Sequence, residues 1–385
     1  MSSGASVIIQ AFLRWVETAR TGDRARAARA LGRAYVDAQM NGIDRQAAEM
    51  AMTFLLDDPS PKVRSALAEV LAPSSDIPRA IILGLAEDQP EIAYIVISRS
   101  PVLTDEDLVD LAARGSVETR ALIAARAFVS RSVSAAIAEI GGEEEMLILL
   151  ENGGAQLPRR SLKRIAERLG YSAAIRDLLL DRADLPSDAR HALVEEVGAA
   201  LAAFGLVQMA IGKTRVERIT REACDVAAVG MAGALAVDEL PDLVAHLRGT
   251  GRLTPAFLLH ALVTGRAEFF SAAIVDLSGV TEKRVRSILS SGRIHSIRAL
   301  FESAGLGRDV SEAFAEAVLL WRKDGTTGTD DCRASVCAAL LASLHGQRAP
   351  SPACNAMAEI LERLAFAEQR QSARDYAQLA ARQAA

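Results

Sequence analysis

Five stretches of this chain fall into register: IPRAIILGLA (Ile77–Ala86), LTDEDLVDLA (Leu103–Ala112), VSRSVSAAIA (Val129–Ala138), LPRRSLKRIA (Leu157–Ala166) and LPSDARHALV (Leu185–Val194). Their first residues stand 26, 26, 28 and 28 positions apart. Each stretch opens on an aliphatic followed by Pro, Thr or Ser. Ser and Thr accept hydrogen bonds from the free N–H groups of a helix start, and Pro fits the first turn. Eight positions on comes Leu or Ile, and nine on comes Ala, or Val194 in the last stretch. Apolar residues at these intervals share one helix face. The small residue beside the aliphatic lets a neighbouring helix approach closely.

Between the stretches there is room for one more helix and two turns. Helices are predicted over Pro90–Ser98, Val117–Ala125, Glu143–Leu150 and Ser172–Asp181. Turn signals separate them: Asp57-Asp58-Pro59-Ser60-Pro61, Glu87-Asp88-Gln89-Pro90, Arg114-Gly115-Ser116, Gly141-Gly142 and Asn152-Gly153-Gly154. One hairpin cannot bury its apolar face alone, so such units stack. The expected fold is all-α: a HEAT-like α-α superhelix, that is, a solenoid of helical hairpins, followed by a helical C-terminal domain. The hairpins are shorter than the roughly 40 residues of a HEAT repeat.

Outward from the repeats at 57–195, residues 1–56 read as a helical cap, with Phe12, Trp15 and Val16, then Ala47, Met50, Ala51 and Phe54, at helical spacing. Beyond 195 the ladder stops and a helical domain is predicted over 196–323. Its helices are Val197–Gly212, Arg215–Met231, Leu240–Leu247, Pro255–Val263, Glu268–Leu277, Glu282–Ser290, Ile294–Ser303 and Ser311–Lys323. The last segment, 324–385, is predicted as a loop (Asp324–Asp331) and two C-terminal helices.

Composition narrows the function classes. Of 385 residues, 50% are hydrophobic and 24% charged, the balance of a folded chain rather than a disordered one. Lys and Arg number 44 against 49 Asp and Glu, a net charge of −5, which argues against a general nucleic-acid-coating role. Residues 1–195 hold 23 basic and 28 acidic side chains, so the repeat half carries the whole excess. Aromatics at 4% are few for a protein that stacks bases. Four cysteines (Cys224, Cys332, Cys337, Cys354) make no disulfide framework. No basic segment precedes the first apolar residues, and the longest uncharged runs, Val197–Gly212 and Val226–Val237, fall short of a ~18-residue membrane span. A reduced, cytoplasmic protein without a membrane anchor is expected.

The runs DDPSPKVRSALAEVL (Asp57–Leu71), LGLAEDQPE (Leu83–Glu91), SRSPVLTDEDLVDL (Ser98–Leu111) and GRLTPAFLLHALVTGRAEFFSAAIVDLSG (Gly251–Gly279) resemble an uncharacterised bacterial family found largely in alphaproteobacteria, over roughly residues 50–300. The resemblance implies an all-helical, HEAT-like bacterial protein and carries no activity, substrate or catalytic residue with it.

One constellation points to DNA. Ala272–Gly292 has the pattern of a helix-turn-helix, with Ser278-Gly279-Val280 as the turn and Thr281–Ser290 as the recognition helix. Val280, Val285, Ile288 and Leu289 would seat that helix, leaving Lys283, Arg284 and Arg286 for phosphates or base edges. Next to it, Arg293, His295 and Arg298 surround the start of the helix at Ile294, where free N–H groups favour an anion. Gly212-Lys213-Thr214 lacks the earlier glycine of a phosphate loop, since Val207 stands there.

No metal site or cofactor is expected. Cys332 and Cys337 are five apart, a poor pairing on a helix. Cys354 lies near His345 without a paired motif, and the acid/His spacing Asp188–His191 has no second copy. The five histidines (His191, His246, His260, His295, His345) read as surface or satisfied core residues. The acidic clusters Asp105-Glu106-Asp107 and Glu143-Glu144-Glu145 offset helix dipoles, and no nucleophile and base stand at readable spacing. The expected function is a non-enzymatic interaction scaffold or adaptor of regulatory type, binding a protein with a basic patch on its concave face. The alternatives are a DNA-binding transcriptional regulator using residues 272–292, and a small-ligand receptor or enzyme with its pocket between the two halves.

Overall fold

The computed structural model describes residues 11–12, 14–37, 42–324, 330–345 and 351–384. Among them every regular element is helical and no strand occurs. Contacts divide the chain into two compact units, residues 1–185 and 186–385. The break expected at 195 would fall inside a helix, Ser187–Ala203. The division comes instead at Pro186, which caps that helix's start.

The first unit contains α1 (Thr21–Asp37), α2 (Gly42–Leu56), α3 (Pro61–Leu71), α4 (Arg79–Ala86), α5 (Pro90–Arg99), α6 (Asp105–Arg114), α7 (Val117–Ala124), α8 (Arg131–Ile140), α9 (Glu143–Glu151), α10 (Arg159–Leu169) and α11 (Ala173–Leu180). Packing follows alternate helices. One succession runs α1, α3, α5, α7, α9, α11, each on the next. In the other, α2 packs on α4, and α6, α8 and α10 pack in turn. The ladder explains the regularity. Ile77, Leu103, Val129, Leu157 and Leu185 are all buried, as are Leu85, Leu111, Ile137 and Ile165 with Ala86, Ala112, Ala138 and Ala166. The ladder residue stands just before the helix cap, the position from which an aliphatic staples the chain onto the first turns. Thr104, with Asp107, forms a capping box, and Ser116 and Ser130 accept from the N–H groups of Thr119 and Val133.

Arginines close the polar ends of these helices. Arg64, Arg120 and Arg176 are each the fourth residue of their helix, and reach back to the carbonyls of Asp58, Gly115 and Gly170. The first two also hold a carboxylate of the next repeat: Arg64 pairs with Asp88 through both oxygens (2.5 and 2.9 Å), and Arg120 Nε donates to Glu145 at 2.8 Å. Arg126 donates to the carbonyls of Ile97 and Ser100 at the end of α5, and Arg168 to those of Ala138 and Gly141 at the end of α8. The last carbonyls of a helix have no partner within it, so each guanidinium satisfies groups that burial would leave unpaired.

The second unit contains α12 (Ser187–Ala203), α13 (Gly205–Ile211), α14 (Lys213–Ala232), a 3-10 turn (Val237–Glu239), α15 (Leu240–Gly249), α16 (Pro255–Val263), α17 (Ala267–Ser278), α18 (Glu282–Ser291), α19 (Ile294–Ser303), α20 (Arg308–Asp324), α21 (Asp330–His345) and α22 (Pro352–Ala384). The helix expected over Val197–Gly212 is instead two, α12 and α13, bent by 67°. Helix α16 is buried from Ala256 to Val263, as its apolar residues on all sides require. It packs against α14, α17, α20, α21 and α22. Phe270, Phe301 and Phe314 form an aromatic cluster beside it, with ring centroids 5.5–5.9 Å apart. The loop expected over Asp324–Asp331 lies mostly outside the described residues. No single helix among the described residues is long and apolar enough to cross a membrane.

Candidate functional site

The expected helix-turn-helix forms a helix, a tight turn and a helix. α17 ends at Gly279, whose left-handed φ of 66° suits a residue without Cβ. The Ser278 hydroxyl donates to the Ile274 carbonyl (2.6 Å) and accepts the Val280 N–H (3.3 Å), fixing the exit. Val285 is fully buried, and Val280, Ile288 and Leu289 are partly buried against the same core.

The predicted cations are treated differently by the fold. Lys283 and Arg284 are exposed and make no ion pair with a described residue, and Arg293 is exposed at the cap of α19. Arg286 is held by Glu268, across the turn, and by Glu282 at 2.9 Å. Arg298 faces Glu302 at 3.6 Å. Arg286 also walls a cleft of about 440 Å³ with Phe270, Ser271, Leu289, Trp321 and Arg322. Glu268, Ser271 and Arg286 border a second hollow of about 220 Å³ as well. One side of α18 thus faces a cleft while Lys283 and Arg284 face solvent.

A second constellation went unread in the sequence. His191 and Glu195, one turn apart on α12, meet His246 of α15. One ligand atom from each lies within 4.8 Å of the other two. His191 is fully buried, yet neither of its ring nitrogens has a hydrogen-bond partner, and His246 Nε2 has none either. The two rings stand edge to face, 5.3 Å between centroids. Glu195 turns one oxygen toward His191 Nδ1 (3.8 Å) and the other toward Arg252 Nε (2.9 Å). Arg252 also reaches Asp225 at 3.1 Å. Burial, with the neighbouring His246 and Arg252, pushes the His191 imidazole down to about 4, so at neutral pH it is uncharged with a free lone pair. The adjacent Cys224 thiol is pushed up by burial and directed to the Val194 carbonyl at 3.8 Å.

His191 therefore departs from the satisfied core role expected of it. The readable signal was the His-x-x-x-Glu spacing of His191 and Glu195, which puts both on one helix face. His246 lies 55 positions further on, and only packing of α15 on α12 brings it in. Of the other spacings, the Cys332 side chain lies outside the described residues, and the described partners turn elsewhere. His345 pairs with Glu362 at 3.6 Å, while Cys354 Sγ donates to Asp309 at 3.3 Å.

Residues 92–352 match the model of a family described as an uncharacterised protein conserved in bacteria, DUF2336. The chain belongs to the DUF2336 family. No curated protein and no solved structure matches it. The DUF2336 segment runs from α5 to the first residue of α22, so it contains the cleft beside α18 and all of His191, Glu195 and His246.

Proposed function

We propose that residues 1–185 build a HEAT-like solenoid of helical hairpins that serves as a non-enzymatic, regulatory interaction scaffold in the bacterial cytoplasm. The packing of alternate helices, each on the next but one, carries this reading. Such stacking leaves rows of helices with one side uncovered, the surface on which repeat proteins hold partners. Five arginines of residues 1–185, Arg64, Arg120, Arg126, Arg168 and Arg176, are already committed to helix ends. Large side chains remain outside: Tyr94, Phe128 and Tyr171 are each more than half exposed. A groove of about 440 Å³ crosses α1, α3 and α5 between Arg29, Lys62, Ser65, Glu69, Gln89 and Glu91. The acidic excess of the repeat half favours a partner with a basic patch and speeds its approach at low salt.

Affinity capture with the full chain, at two salt concentrations and with nuclease, tests this. A stoichiometric protein should survive nuclease, weaken with salt, and be lost on Glu69→Lys/Glu91→Lys. Captured material that vanishes with nuclease, or ignores both salt and the charge reversals, contradicts it.

A second reading rests on the formed helix–glycine–helix of residues 272–292: a DNA-binding regulator using Lys283 and Arg284. DNA affinity that falls steeply with salt and drops on Lys283→Ala/Arg284→Ala supports it. Unchanged affinity in that variant removes it.

A further inference from the structure

We propose that His191, Glu195 and His246 bind one divalent first-row transition-metal ion of the zinc type. Two observations carry this independently. The first is convergence: three groups of the types that ligate such ions, from two packed helices, lie within 4.8 Å of one another. The second is the state of His191. A fully buried imidazole with neither nitrogen hydrogen-bonded is costly, because both polar atoms have lost water and gained nothing. An ion accepting a lone pair from one nitrogen of His191 and another from His246 removes the share of that cost that falls on the ligating nitrogens.

The chemistry of the set selects the ion. Two imidazoles and one carboxylate suit zinc and its first-row neighbours, whereas magnesium and calcium prefer oxygen alone. Zinc bonds to nitrogen at about 2.0–2.1 Å, so tetrahedral ligand atoms stand about 3.4 Å apart. With the ligand atoms within 4.8 Å of one another, closing to that geometry brings any pair nearer by no more than about 1.4 Å. Glu195 is already oriented as a ligand, because Arg252 takes one oxygen and leaves the other toward His191. Arg252 is a positioning residue here, itself steadied by Asp225. Three protein ligands leave one tetrahedral position for water or a small ligand, the pattern of an open site.

The test uses the full chain, stripped with chelator and titrated with zinc by calorimetry, and with cobalt(II) by visible absorption. One zinc per chain is expected, with a raised melting midpoint and the intense cobalt bands of a four-coordinate site. Glu195→Gln, which keeps volume at a partly exposed position, should weaken zinc at least about tenfold, and Arg252→Gln about tenfold. His191→Ala/His246→Ala should abolish stoichiometric binding while circular dichroism keeps its helical signal. Binding unchanged in the double variant, or in Glu195→Gln if the double variant does not fold, would place the ion on surface groups such as His345 and Glu362 and overturn the proposal. So would a parent chain that takes up no zinc at millimolar concentration.

Discussion

Both units bury some polar atoms without a partner, Arg126 Nε, Ser134 Oγ and Arg176 Nε among them in the first, but they differ in how they hold buried carboxylates and imidazoles. In residues 57–185, buried charge is paired: Asp58 with Arg24, Asp88 with Arg64, Asp107 with Arg79, Glu145 with Arg120. In residues 186–385 the core is aromatic and aliphatic, and its polar exceptions include the fully buried His191, with neither ring nitrogen bonded, beside the part-buried His246, whose Nε2 is unpaired. Charge in the first unit is part of the frame. The unpaired polar groups in the second add nothing to its stability as they stand, which is what a ligand site looks like before its ligand arrives.

The largest effect that sharpens this contrast lies in the aromatic core. Phe270→Ala removes a side chain in contact with both Phe301 and Phe314 and should cost about 4 kcal/mol. Denaturant unfolding followed by fluorescence and circular dichroism will measure it. A loss below about 1 kcal/mol would mean that the cluster is not tightly packed.

Next comes the repeat frame. Arg126→Met leaves the Ile97 and Ser100 carbonyls without their donor and should cost about 2 kcal/mol, visible in the same unfolding curves. A neutral outcome would show that water replaces the guanidinium and that the arginine closures are decoration.

Acid separates the units by pH rather than by size of effect. Burial works to raise the Asp58 and Asp107 carboxyls, but bonds from Arg24 and Ser60, and from Arg79 and Thr104, hold them below the usual range. Their contribution is complete above the unfolded value near ~4 and is lost as pH falls through the lower folded value. His260 in α16 has its imidazole pushed down by burial and by the charge of Arg363. Its contribution is complete above ~6.5 and is lost earlier, as pH falls toward the folded value. Stability of the parent should begin to fall below about pH 6.5, through both His191 and His260, and His260→Gln should make that first step shallower while leaving the His191 share and the fall below pH 4. A single fall near pH 4 in both proteins would contradict the assignment.

The smallest effect belongs to the solvent side of α18. Lys283→Ala/Arg284→Ala should change stability by no more than about 0.5 kcal/mol, since neither side chain is engaged. A larger loss would mean that these cations support the fold, and the DNA-binding test on the same variant would lose its meaning.

Helix positions in the repeat region were legible because their cause is local. An aliphatic, a capping residue and an apolar pair eight and nine positions on are all visible within one stretch; beyond the repeat region, Pro255–Val263 and Ile294–Ser303 also formed at their predicted bounds. The break at Phe204–Gly205 was not legible, because an uncharged run satisfies one long helix or two bent ones equally well. The arginine closures were hidden because Arg64, Arg120 and Arg176 mark only alternate repeats and act on backbone carbonyls, which carry no sequence signature. Lys283 and Arg284 stand exposed. Arg286 did not remain available, because Glu268 lies across a turn whose geometry spacing alone does not give. His246 joined His191 only through packing of two helices 55 positions apart.

Hydrogen–deuterium exchange of the full chain, with and without zinc, puts the contrast between the units to its most direct test. Added protection is predicted for peptides covering 187–203 and 240–254, with no change across 57–185. Equal protection in the repeat unit, or none anywhere, would contradict the division between a closed frame and a unit that keeps polar groups for a ligand.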